Sequence, residues 1–178
     1  MTIVDKLGNA VSFTSTIEAT FGSQMMVHGF FLNNELTDFA AVPEADGRLH
    51  ANRVEGGKRP RSSMSPTFVF DRNAKLVAAL GSAGGARIIG DTLHALIGLL
   101  DWNLSMQDAI DLPRLTNLTG VTELEDRGSM PEAAERLRAL GHQVQLRRHE
   151  GGLSGVRRTG AGWDGGADKR RDGAARGE

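Results

Sequence analysis

The 178-residue chain contains no cysteine, which removes disulfides, thiolate metal ligands and a cysteine nucleophile together. Covalent chemistry must therefore use oxygen or nitrogen groups. Tyrosine is also absent, and aromatic residues make up only 5% of the chain. No stretch approaches the roughly 20 apolar residues of a membrane span, and the opening MTIVDKLGNA lacks the basic and apolar regions of a signal peptide. If the protein is exported, another segment directs it. Charge of one sign is lacking too: a formal net charge of -1, with arginine pairs only at 147–148, 157–158 and 170–171, gives no reason to expect nucleic acid.

What is present suits one globular domain spanning residues 1–178, with 39% hydrophobic and 24% charged residues and neither an internal repeat nor a linker. TIVD, KLGN and AVSFTSTI predict a hairpin at the amino end, and TFVFD, RNA and KLVAALGS predict a second over 67–82. Apolar residues at Ile89, Leu93, Leu96, Ile97 and Leu100 keep the three-and-four spacing of one buried helical face and predict a helix over 88–100. Ser105 and Asp108 predict a capped helix over 105–112, stopped by Pro113, and Pro131 and Gly141 bracket another over 130–142. HQVQLRR and GLSGVRRT read as a last strand pair. Beyond Thr159 the glycine-rich sequence predicts extended strand or loop, with fraying over about 160–178.

Candidate chemistry narrows by elimination. The five histidines, at 28, 50, 94, 142 and 149, show no ligand spacing, so no metal site is expected. GGLSG at 151–155 puts its serine at the wrong offset for a nucleophile elbow. LGSAGGARIIG at 80–90 lacks the lysine and spacing of a phosphate loop. That stretch remains open between a simple strand-to-helix turn and a place where backbone N–H groups at Gly84 and Gly85 face developing negative charge. Glu35 and Asp38, three residues apart, are able to hold an ammonium group, and Ser62 with Ser63 a carboxylate. Taken singly these are an acidic turn and a serine-rich loop; together they suggest an amino-acid clamp.

GNAVSFTSTIEATFGS, GFFLNNELTDF, GKRPRSSMSPT, GSAGGARII, DAIDLPR and GGADKRRDG, in that order, resemble the small subunit of γ-glutamyltranspeptidase over essentially the whole chain. The resemblance implies an α+β chain, the small-subunit part of an αββα sandwich of the N-terminal-nucleophile hydrolase type. It implies cleavage of γ-glutamyl amides such as glutathione, by a terminal threonine freed through autocatalytic cleavage of a precursor, with transfer of the acyl group to water or an amine. Carried onto this sequence, it assigns the substrate α-ammonium to Glu35 and Asp38, the α-carboxylate to Ser62 and Ser63, and the oxyanion hole to Gly84 and Gly85. Thr16 matches the threonine that steadies the nucleophile. The implied partner is the large subunit, which supplies the rest of the sandwich and an arginine; no cofactor, membrane or nucleic acid is implied. The family suggests the bacterial periplasm.

Three departures accompany the resemblance. The Thr-Thr-His-type stretch that carries the nucleophile falls before Met1, and Thr2 aligns beyond it, so the chain alone is expected to be inactive. Glu18 stands where many members have an asparagine, adding a third carboxylate to the clamp or pointing outward from a strand end. Residues 40–58 contain no tyrosine, so the lid that covers the pocket in some members is not expected. The alternatives are an acylase of another amide, such as a cephalosporin side chain, and a non-catalytic remnant that binds an amino acid or pairs with another subunit.

Overall fold

In the computed structural model, which describes residues 1–177, Asp5 folds the amino end back on itself. Its Oδ1 accepts from the N–H groups of Leu7 and Asn9 at 2.8 and 2.9 Å, joining β1 (Thr2–Val4) to β2 (Ala10–Ser12) as an antiparallel hairpin. Thr2 lies within this ladder opposite Ser12. The chain packs as two compact units: residues 1–14 with everything from Ser63 onward, and Ser15–Ser62.

The Ser15–Ser62 unit is mostly irregular, and its turns are set by local chemistry. β3 (Met26–Val27) and β4 (Phe30–Phe31) meet across His28-Gly29, and β5 (Glu44–Ala45) and β6 (Arg48–Leu49) across Asp46-Gly47. Both central residues of each turn have positive φ, the conformation that matches the twist of a two-residue hairpin. Between the hairpins, Glu35–Asp38 forms a 3-10 turn.

The larger unit resumes with β7 (Thr67–Phe70) and β8 (Leu76–Ala83), whose hairpin uses the device of Asp5: Asp71 Oδ1 accepts from the N–H groups of Asn73 and Lys75. Next come α1 (Ile88–Leu100) and α2 (Met106–Asp111). The Ser105 side chain accepts from Asp108 N at 3.0 Å, the cap read from the sequence. β9 (Leu115–Asn117), β10 (Thr122–Glu125), α3 (Met130–Ala139) and β11 (Val144–Arg147) follow, then β12 (Gly152–Thr159) and β13 (Gly162–Ala167).

An antiparallel sheet, in the order β13-β12-β8-β7, carries α1 and α2 on one face, so the fold is mixed α/β. Leu80, Leu153, Ala95, Leu99, Met106, Ala109 and Ile110 fill the layer between. The β1–β2 hairpin packs against β8 and β12, and Ser12 Oγ donates to Leu80 O at 3.1 Å. A smaller sheet, β11-β10-β9, is packed by α3.

One expectation meets a different structure. HQVQLRR and GLSGVRRT do not pair: β11 joins β10 in parallel, because α3 supplies the crossover that a parallel pair needs, while β12 lies between β8 and β13. The glycine-rich end, read as extended strand or loop, contains β13. Here glycine serves packing, since a Cβ on Gly166 would come within 2.9 Å of both Met106 Cγ and Ile110 Cδ1. A glycine at this position lets α2 lie so close. Beyond it, Asp168 is buried.

Candidate functional site

β8 runs out of the sheet into GGARI. Gly84 and Gly85 adopt φ of 144° and 60°, a region that side-chain-bearing residues avoid, and a 3-10 turn over Gly85–Arg87 leads into α1. Gly85 is exposed, and a Cβ there would meet nothing within 4 Å. Arg87 anchors the turn to the smaller sheet through Nε and Nη2 to Glu123 Oε2 at 2.8 and 2.5 Å, while Arg147 Nη1 holds Oε1 at 2.6 Å. Burial pushes the Glu123 carboxyl up, but the two arginines outweigh it and hold it below the usual range.

Behind the turn lies a set of buried charges that sequence reasoning missed. Asp91 Oδ2 and His149 Nε2 are 3.0 Å apart, and Gly151 passes directly over them. Arg114, 1% exposed, donates through Nη2 to Ile110 O at 2.5 Å and lies 3.7 Å from Asp168. Burial lowers its pKa; Asp91, Asp168 and Glu125 oppose that shift, and Arg170 adds to it.

The Ser15–Ser62 unit holds the acidic residues. Thr16 Oγ1 accepts from Glu18 N at 2.8 Å, and Glu18 has a φ of 72°. Two asparagines shape the acidic turn: Asn34 Oδ1 accepts from Ala19 N at 3.0 Å, and Asn33 Oδ1 from Glu35 N at 3.0 Å. They fold residues 17–19 against 33–35 and bring Glu18 toward Glu35. Burial raises the Glu35 pKa above its usual value, and the charges of Asp38 and Glu18 raise it further. Glu35 Oε2 is buried without a hydrogen-bond partner. A third asparagine, Asn52, donates to Asp38 O at 2.7 Å and accepts from Arg61 N at 2.9 Å, tying residues 40–61 to the acidic turn.

Thr16, Glu18, Glu35, Asp38 and Ser62 belong to this smaller unit, and Ser63, Gly84 and Gly85 to the larger. Ser62 is exposed and Ser63 half-buried, with Ser63 O accepting from Ser65 Oγ at 2.8 Å. Among the described residues, no group of three or more acidic or histidine side chains is arranged to hold a metal.

A gamma-glutamyltranspeptidase family model matches residues 1–178. The chain belongs to the gamma-glutamyltranspeptidase family. It is 40% identical over 145 residues to a glutathione hydrolase proenzyme of Bacillus subtilis, covering 80% of this chain and 24% of that protein. It is 36% identical over 160 residues to an acylase ACY 1 proenzyme of a Pseudomonas species, covering 88% and 27%. Its structure is similar to a chain of a gamma-glutamyltranspeptidase from Pseudomonas nitroreducens complexed with L-DON, at 31% identity and a TM-score of 0.85, covering 99% of this chain and 97% of that one. The chain thus spans about a quarter of the curated relatives it matches and almost all of the solved family chain. That is the extent of a small subunit.

Within this family frame, the chain offers an acidic turn able to receive a cation and a glycine turn with exposed backbone. The asparagines that shape the former stand in NNELTD beside the carboxylates, and their turn-forming side chains are the signal that could have found them. Asp91 and His149 carry no such signal: one reads as the polar face of α1 and the other as a surface histidine.

Proposed function

We propose that the chain is the small-subunit portion of an enzyme that cleaves γ-glutamyl amides, such as glutathione, and transfers the acyl group to water or an amine. The observation that carries this reading is Glu35: a carboxylate whose pKa is raised by burial and by Asp38 and Glu18, with one oxygen buried and unpartnered. A substrate α-ammonium satisfies that oxygen and relieves the repulsion at once. In this reading Glu18, Glu35 and Asp38 hold the ammonium, and Ser62 and Ser63 hold the α-carboxylate. Gly84 and Gly85 donate backbone N–H bonds to the tetrahedral oxyanion. Thr16 orients a threonine nucleophile. The fold then completes an αββα sandwich with the large subunit, which covers the exposed apolar residues of α1, Ile89, Leu93 and Leu100.

The likeness to an acylase proenzyme favours a second reading, in which the acyl group is another amide side chain. Profiling the enzyme assembled with its large subunit separates the two. Release of the aniline from a γ-glutamyl anilide supports the first; its absence, with hydrolysis of a cephalosporin side chain, overturns it.

A further inference from the structure

Gly84 has no side chain to hold it in its unusual conformation, and the β8–β12 ladder ends beside it at Ala83 and Gly152. Its support must come from what it packs against. A Cβ built on Gly84 would lie 3.3 Å from Gly151 Cα and 3.9 Å from Asp91 Oδ2. Gly151 is itself buried against the Asp91–His149 contact, so closely that a Cβ there would overlap both side chains. Asp91 stands in the first turn of α1, just after the glycine turn, and His149 in the connection between β11 and β12. The pair therefore fastens together the two segments that enclose Gly84.

Such an arrangement is costly as a mere core filler. Asp91 is 1% exposed and His149 8%, and Asp91 Oδ1 has no hydrogen-bond partner. A buried carboxylate with an unsatisfied oxygen destabilises a fold unless charge compensates it, and here Arg114, His149 and His94 lie near it. Ordinary apolar residues would fill the space at less cost.

We infer that Asp91 and His149 are positioning residues for the Gly84-Gly85 backbone, acting through Gly151. This rests on the reading of Gly84 and Gly85 as oxyanion donors. Asp91 fixes the helix side of the turn, His149 fixes the strand side, and Gly151 is glycine because the contact beneath it leaves no room for a Cβ.

The test begins with the full chain labelled with 15N-glycine. D91A and H149A are expected to shift the Gly84 and Gly85 amide resonances and to raise their hydrogen exchange about tenfold or more, while Gly47 stays unchanged. D91N, which keeps the hydrogen-bonding shape, restores most of both. If D91A does not fold, G151A wedges the pair apart while retaining its chemistry and is expected to give the same signature. In the enzyme assembled with its large subunit, D91A lowers kcat by about tenfold to a hundredfold, as loss of alignment does. KM stays within about twofold, and D91N rescues kcat. Gly84 and Gly85 amides indifferent to these substitutions would overturn the inference, as would a kcat loss matching only the folded fraction. A parent enzyme inactive on a γ-glutamyl anilide would sink the proposed function instead, and the amide signals would still decide whether the pair holds the turn.

Discussion

Arg170 grips Glu125 with two nitrogens, Nε to Oε1 at 2.7 Å and Nη2 to Oε2 at 2.6 Å, although 45 residues separate them. The same guanidinium reaches Asp168 at 3.0 Å and the carbonyls of Ile110 and Leu112 at 3.2 and 3.1 Å. One side chain near the carboxyl end thus ties together β10, the end of α2 and the tail beyond β13.

Substituting Arg170 should therefore cost stability. With Arg170 and Glu125 each 8% exposed, R170A leaves buried carboxylates unpaired and is expected to destabilise by about 3–5 kcal/mol. R170K should recover only part of this, because an ammonium cannot make the planar fork. Urea unfolding of the three proteins checks it. Equal midpoints for R170A and the parent would contradict the role.

The same contact sets a pH dependence. Burial pushes the Glu125 carboxyl up, but Arg170, the Arg114 N–H and the His149 charge together hold it below its usual 4.5. Its folded pKa is depressed, so its contribution is present above the unfolded value and is lost as pH falls through the folded one. Glu35 behaves in the opposite sense. Its folded pKa is raised, so the ligand-free protein gains from its protonation below 4.5 and loses this as pH rises through the raised value. Ammonium binding needs the ionised form. Glutamate affinity, measured calorimetrically on the assembled enzyme, should weaken from about pH 8 toward about pH 5, and E35Q should bind weakly with a flatter profile.

The longer elements are legible in the sequence alone, but β3 to β6, β9 and β10, each of two to four residues, are not predicted from it. Hairpins turned by Asp5 and Asp71 and the Ser105 cap are local devices, each written within a few residues. The α1 spacing finds the helix but not its buried face, since Ile89, Leu93 and Leu100, expected in the core, are exposed and Ile88, Ala95 and Leu99 are buried instead. The Asp46-Gly47 hairpin is equally local, a standard Asp-Gly turn within a segment that otherwise draws notice for its missing tyrosine. Pairing at a distance is what sequence does not disclose. β11 and β12 adjoin in sequence yet enter different sheets, and the difference lies in α3 and in the short connection containing His149. The carboxylates of the acidic turn can be named from NNELTD, whereas the burial that raises Glu35 depends on the chain folding back over residues 17–19.

The exposed face of α1 predicts a partner. Ile89, Leu93 and Leu100 are 58, 57 and 53% exposed, whereas Ala95 and Leu99 are buried beneath them. Two-sided apolar character on a single helix marks a surface awaiting cover. L93E is expected to leave the helix intact by circular dichroism and to abolish co-purification with the large subunit. Retention of the complex in L93E would place the contact elsewhere.

Gly84 offers the most direct probe of chemistry. Its φ of 144° is hostile to a side chain, and an added Cβ would press on Gly151 Cα at 3.3 Å, so G84A must move the backbone by several tenths of an ångström or rotate it. A backbone donor has little tolerance for such a change, since its worth depends on alignment with a charge that exists only in the transition state. In the assembled enzyme, kcat on a γ-glutamyl anilide should fall by about a hundredfold or more, the typical cost of one oxyanion donor. Glutamate should bind G84A about as well as the parent, because the carboxylates proposed to hold its ammonium, Glu35 and Asp38, stand in the 3-10 turn at Glu35–Asp38 and not in the glycine turn. Steady-state kinetics beside a glutamate titration separates the two effects. If binding and turnover fell together, the glycine would be shaping the pocket as a whole, and the oxyanion role would have to pass to another donor.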